Sequence, residues 1–96
     1  MNDILKKIQT DGLKRKVMSV IDRNSHKGNK VKGYKVCFRP ENLYILYCMY
    51  HNTSEAQEEF LLGINALVED KTLTEVTAKS INGEKEFTYF CRDKIV

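Results

Sequence analysis

The apolar positions of this chain fall into stretches of different period. Residues 56–68 give the clearest helix, because Ala56, Phe60, Leu61, Ile64, Leu67 and Val68 recur as a wide apolar stripe. Ser54 followed by Gln57 predicts a capping box at its start, and Glu55, Glu58 and Glu59 suit the positive end of the helix dipole. Residues 43–50 carry no charge and read as a strand with two apolar faces. Leu43, Ile45, Tyr47 and Met49 would lie on one face, and Tyr44, Leu46, Cys48 and Tyr50 on the other. Such a strand belongs in mid-sheet, where it forms the axis of the predicted fold. Residues 34–39 alternate as a half-buried strand, with Tyr34, Val36 and Phe38 on one side. Pro40 suits the second place of a type I turn, Arg39-Pro40-Glu41-Asn42, that would pair this strand antiparallel with 43–50.

Two further alternating segments, 73–81 and 84–94, flank Asn82-Gly83. That dipeptide selects a two-residue type I′ hairpin turn, which fixes the register. It places Ala78 opposite Phe87, Val76 opposite Tyr89 and Thr74 opposite Cys91 on the expected core face. Lys79 opposite Glu86 and Thr77 opposite Thr88 fall on the expected solvent face, where Phe90, opposite Glu75, is the one apolar residue.

At the start of the chain, Asp3 is placed to cap a short helix over 4–10 with Ile4, Leu5 and Ile8 on one face. Asp11-Gly12 would end it. A single helix through residue 23 is disfavoured, because its apolar stripe would jump to the opposite side after Gly12. Residues 13–23 fit a helix through Leu13, Val17, Val20 and Ile21, and a strand through Val17, Ser19, Ile21 and their β-branched content. We read them as a strand, because residues 24–33, with two glycines and three lysines, look like the exposed tip of a long hairpin. The resulting order, α-β-β-β-α-β-β, predicts an α+β fold with a single antiparallel sheet of about five strands and one main helix packed on one face. Residues 1–96 are read as a single domain. The short first helix is too small to cover the second face of the 43–50 strand.

Composition changes this picture in three places. Cys37, Cys48 and Cys91 make an odd count without a C-x-x-C pair, which indicates reduced, buried thiols. No signal-peptide pattern follows Met1, and the longest uncharged apolar run is eight residues, far short of the ~20 that span a bilayer. A cytoplasmic protein with no membrane partner is expected. The net charge of +3 hides a division: residues 1–40 hold eleven Lys and Arg against three Asp, and residues 41–96 hold five against ten Asp and Glu.

The sequence carries no constellation for catalysis, and an enzyme is not expected. Cys48-x-x-His51 has metal-ligand spacing, but on a strand the two side chains point to opposite faces, and Cys37 and Cys91 match no finger pattern. Glu58 and Glu59 diverge on a helix, and there is neither a P-loop nor a G-x-G-x-x-G. No metal or other cofactor is expected. Tyr44, Tyr47 and Tyr50 fit a core with hydroxyls at its rim better than a platform for stacked bases. What remains is the basic region. Lys14, Arg15 and Lys16 open the 13–23 segment, and His26, Lys27, Lys30, Lys32 and Lys35 crowd the loop that follows. A hairpin tip bearing these cations could follow a phosphate backbone.

The opening α-β-β-β-α order resembles that of double-stranded-RNA-binding domains. In those, the second helix begins with lysines, whereas this one begins Ser54-Glu55-Ala56-Gln57-Glu58-Glu59, which removes that function. The full order also resembles the "double wing" DNA-binding domain of a bacteriophage middle-gene activator. There a helix ending in glycine (compare Gln9-Thr10-Asp11-Gly12) precedes a basic strand (compare 13–23). The likeness is one of layout, without a diagnostic motif. The leading expectation is a small non-catalytic protein, a candidate regulatory factor, that binds DNA or RNA through this basic surface. The alternatives are a protein-interaction module or small phage-type inhibitor that docks on a larger protein complex, and a homodimer formed through the uncovered sheet face.

Overall fold

The computed structural model describes residues 2–80 and 82–94, with side chains from Ile4 to Arg92 within them. The predicted cap Asp3 and strand end Ile81 lie outside these described side chains. Three helices, α1 (Asn2–Arg23), α2 (Pro40–Tyr50) and α3 (Ala56–Glu69), pack with four strands, β1 (Asn29–Val31), β2 (Tyr34–Phe38), β3 (Thr74–Lys79) and β4 (Glu86–Lys94). The sheet is antiparallel in the order β1-β2-β4-β3. The α+β class is as expected, with four strands instead of five and a different element order.

The largest difference is at residues 43–50, which are helical. Pro40 occupies the first turn of α2, where its fixed φ and missing N–H cost nothing, and Glu41 follows in the same turn. Leu43 and Tyr47, one turn apart, are both 0% exposed and join the core. A run that is apolar on both faces of a strand is also apolar all round a helix, so its period is hidden. The place of the central strand passes to β4, which pairs with β2 and β3.

The second difference is α1, which runs through Gly12 to Arg23. Leu13, Val17, Val20 and Ile21 follow helical spacing and are all buried, so residues 13–23 are not a strand. Packing on α3 supplies what Gly12 takes away. A Cβ at Gly63 of α3 would lie 2.9 Å from Val17 Cγ2 and 3.0 Å from Leu13 O, so glycine lets the two helices approach closely. Asn24 closes α1: its buried side-chain amide donates to Val20 O at 2.8 Å and its backbone N–H to the same oxygen at 3.1 Å.

The start of α3 also differs in detail. Ser54 does not cap it. The residue at the cap is Glu55, without a side-chain cap bond, while the Thr53 hydroxyl donates to Glu59 Oε1 at 2.8 Å.

The C-terminal hairpin has the expected register at every pair, from Thr74 opposite Cys91 to Lys79 opposite Glu86. Its turn closes through Gly83 N–H to Ser80 O at 2.9 Å, whereas the Glu84 N–H that would close a type I′ Asn-Gly turn donates to Asn82 Oδ1 at 3.2 Å. The type I′ signature, positive φ at both central residues, belongs instead to Lys32 (45°) and Gly33 (85°) between β1 and β2.

The expected solvent face of this hairpin is exposed at Lys79, Glu86 and Thr77, and the departure is at Phe90. Phe38 lies directly opposite Phe90, and both pack into the helix-covered core with Val36. Phe90 is therefore not a stray residue on the wet side. On the other face Val76, Ala78, Phe87 and Tyr89 are half-buried, and Cys37 and Cys91, paired across β2 and β4, are 0% exposed. The sheet curls around that face, and the Lys32 ammonium at the β1–β2 turn donates to Thr77 O of β3, the opposite edge strand, at 2.6 Å.

Candidate functional site

The predicted basic residues do not form one surface. Lys14, Arg15 and Lys16 lie on α1, and two of them are engaged by the acidic residues of and next to α3. Lys14 meets Asp70 Oδ2 at 2.7 Å and Asp11 at 3.7 Å, and Lys16 meets Glu59 Oε2 at 3.4 Å. The side chain of Arg15 donates back to Asp11 O at 3.4 Å. The opposite charges of the two halves of the sequence are thus partly spent in holding α1 to α3. Hydrogen bonds from Lys14 and Thr72 hold the Asp70 carboxyl down to about 2, and the Thr53 and Lys16 hydrogen bonds lower that of Glu59. Two clefts of about 450 and 500 Å³ run along this seam, both bordered by the Lys14–Asp70 pair.

His26, Lys27, Lys30, Lys32 and Lys35 do fall together, on a single 3₁₀ turn (Ser25–Lys27) and the β1–β2 hairpin that follows it, and all five are exposed. Lys32 is tied to Thr77 O; the others face solvent.

Between this hairpin and α2 lies a groove of about 290 Å³. Its cations are Lys27 and Arg39, its neutral hydrogen-bonding groups are Asn29 and Asn42, and its apolar wall is Phe38, Ile45 and Leu46. Arg39 bonds Glu41 Oε1 at 3.0 Å and stacks its guanidinium 4.4 Å from the centre of the Phe87 ring, which fixes it at the groove edge. Beyond the groove the outward face of α2 stays apolar: Ile45 is 59% exposed and Met49, one turn on, 71%. Tyr50 closes this face with Arg23 stacked 5.4 Å over its ring. Of the tyrosines of α2, Tyr47 is core and Tyr44, half-buried, packs its ring on Phe60 at 5.3 Å between centres.

The groove was missed because residues 43–50 were read as a strand. Pro40-Glu41 before Leu43 and Tyr47 at i, i+4 was the signal that could have found α2.

Chemistry of other kinds finds little here. Among the described residues no three His, Cys, Asp or Glu side chains are grouped to hold a metal ion. Burial and the neighbouring Cys37 push the Cys91 thiol well above its ordinary value, the reverse of a nucleophile's environment. Among the described residues no helix is long and apolar enough to cross a membrane. Searched against known proteins, the chain matches no family model, no curated protein and no solved structure.

Proposed function

We propose that this protein is a non-catalytic interaction module whose groove along α2 takes an acidic, amphipathic segment of a protein partner. The observation that carries this reading is the outward face of α2, where Ile45 and Met49 stand 59% and 71% exposed on one side of a helix bordered by Lys27 and Arg39. Apolar side chains one turn apart suit the apolar stripe of a partner helix, and the flanking cations suit its acidic edge. Nucleic acid, which contacts cations through phosphate, would leave the aliphatic surface wet.

A second reading, binding of DNA or RNA by the hairpin end, is favoured by the gathering of exposed His26, Lys27, Lys30 and Lys35. Fluorescence anisotropy separates the two. The probes are a labelled Glu/Leu amphipathic peptide, its Lys/Leu counterpart and a single-stranded DNA oligonucleotide. The first reading expects selective binding of the acidic peptide, weakened about tenfold by Met49→Glu, a change worth about 1.4 kcal/mol. It is abandoned if the acidic peptide binds no better than the basic one, or if Met49→Glu leaves its affinity unchanged. Salt-sensitive DNA binding that is lost in a Lys27→Ala, Lys30→Ala, Lys35→Ala variant establishes the second reading instead.

A further inference from the structure

Two of the three cysteines face each other across the middle of the sheet. Cys37 of β2 and Cys91 of β4 are Cα partners in the antiparallel pairing, both are 0% exposed, and both are free thiols. Residues directly opposite each other in such a pair have Cα atoms about 4.5 or 5.5 Å apart, according to their place in the ladder. Both values lie within the roughly 4.4–6.8 Å that a disulfide spans. The Cβ atoms of such a pair, about 4.5–5.5 Å apart, would have to draw together by only about 1 Å. The two sulfurs are close enough to share a hydrogen bond, and the Cys37 thiol also lies 3.8 Å from Tyr34 O.

Cys48 is no competitor for either sulfur. It packs with α2 on the helix-covered side of the sheet, with Val36, Phe38 and Phe90, whereas Cys37 and Cys91 lie on the other side. A link between Cys37 and Cys91 would close residues 38–90 into a ring that contains α2, α3 and β3. It would join the two central strands beside Phe38 and Phe90, the pair that decides the core face.

We propose that Cys37 and Cys91 form a cross-strand disulfide at the moment the sheet closes, so that the folded protein keeps the redox state in which it folded. The oxidant is a low-molecular-weight disulfide of the glutathione class. While the sheet is open, the thiolate of one cysteine attacks the small disulfide. A mixed disulfide forms, the small S–S bond breaks, and one small thiol leaves with the proton. The second cysteine then attacks the protein sulfur of the mixed disulfide. The Cys37–Cys91 bond forms, the mixed bond breaks, and the second small thiol leaves with its proton. The protein gives up two electrons and two protons, and the small disulfide is reduced to two thiols. Once β2 and β4 are paired, neither sulfur meets solvent, so exchange in either direction waits for the sheet to open. The ring spans more than half of the chain, which makes the oxidised form the more stable.

Refolding the full chain from urea in a buffer of oxidised and reduced glutathione tests the proposal. A parallel sample is held in the same buffer with urea below the unfolding midpoint, where the sheet opens transiently. Digestion and mass mapping are expected to show Cys37 linked to Cys91 in both samples. The Tm is expected to rise by at least about 5 °C over the dithiol form, and a Cys91→Ala variant treated in the same way should gain nothing. The native dithiol chain in the same buffer without urea should take up a mixed disulfide at Cys48 while Cys37 and Cys91 stay reduced. Links made to Cys48 instead, no Cys37–Cys91 link in either opened sample, or a linked form that melts no higher than the dithiol overturns the proposal. So does a native chain whose Cys37–Cys91 link forms as fast as Cys48 reacts.

Discussion

Gly63 and Gly12 both lie inside helices, and replacing each with alanine should move stability in opposite directions. Alanine is worth up to about 1 kcal/mol over glycine in a helix interior. At Gly12 the new methyl enters open space, since no atom lies within 4 Å, so nearly the whole gain is expected. At Gly63 the methyl would lie 2.9 Å from Val17 Cγ2 and 3.0 Å from Leu13 O. The valine is β-branched, 0% exposed and stiff at χ1, and the oxygen is backbone, so neither yields without moving α1 from α3. Overpacking of this kind costs about 1–3 kcal/mol. Set against the helical gain, Gly63→Ala should be destabilising by about 0–2 kcal/mol, and Gly63→Val, with lower propensity and two more methyls, by more. Urea unfolding followed by circular dichroism at low micromolar concentration gives the comparison through Cm at constant m. The expected order is Gly12→Ala above the parent, then Gly63→Ala, then Gly63→Val. A Gly63→Ala variant as stabilised as Gly12→Ala would refute the close approach of the two helices.

Other predictions concern titration. The Asp70 carboxyl is held at about 2 in the folded protein by its hydrogen bonds to Lys14 and Thr72, below its ordinary value. Its contribution is therefore complete above about pH 4 and is lost as pH falls towards 2, so Asp70→Asn should flatten that part of the acid unfolding curve. A curve of unchanged slope in Asp70→Asn would contradict the pairing. The Cys91 thiol is displaced upward, so stability should decline as pH rises above the ordinary thiol range of about 8.5, and Cys91→Ala should remove part of that decline. At pH 8 Cys37 and Cys91 should resist iodoacetamide until the chain is unfolded, while half-buried Cys48 reacts first; mass mapping of the labelled sites checks the order. Equal labelling of all three in the native protein would count against the buried cross-strand pair.

How much of this was legible in the sequence depended on whether one element could be judged alone. The stripe of α3 and the β3–β4 register follow from local spacing, and every hairpin pair is found as read. Which face of that hairpin is covered depends on β2, because Phe38 opposite Phe90 decides it. Leu43–Tyr50 and 13–23 needed tertiary information of the same kind. In α2 only Leu43 and Tyr47 are buried, and the exposed Ile45 and Met49 blur the period that would have marked a helix. In α1 the stripe of its first turns answers to no surface within the chain, so periodicity across residues 2–23 is broken even though the helix is not. The basic residues were visible as charges, but nothing local showed that Lys14 and Lys16 would face Asp70 and Glu59.

The bond from Lys32 to Thr77 also bears on solubility. β3 is an edge strand, and an edge with free carbonyls can template the addition of a strand from another molecule. An ammonium placed on one of those carbonyls occupies an acceptor and sets a positive charge where an incoming backbone would have to lie. Lys32→Ala would leave the hairpin its turn but uncover the rim of the sheet, and the first consequence would be seen in light scattering of concentrated samples as chains begin to associate edge to edge.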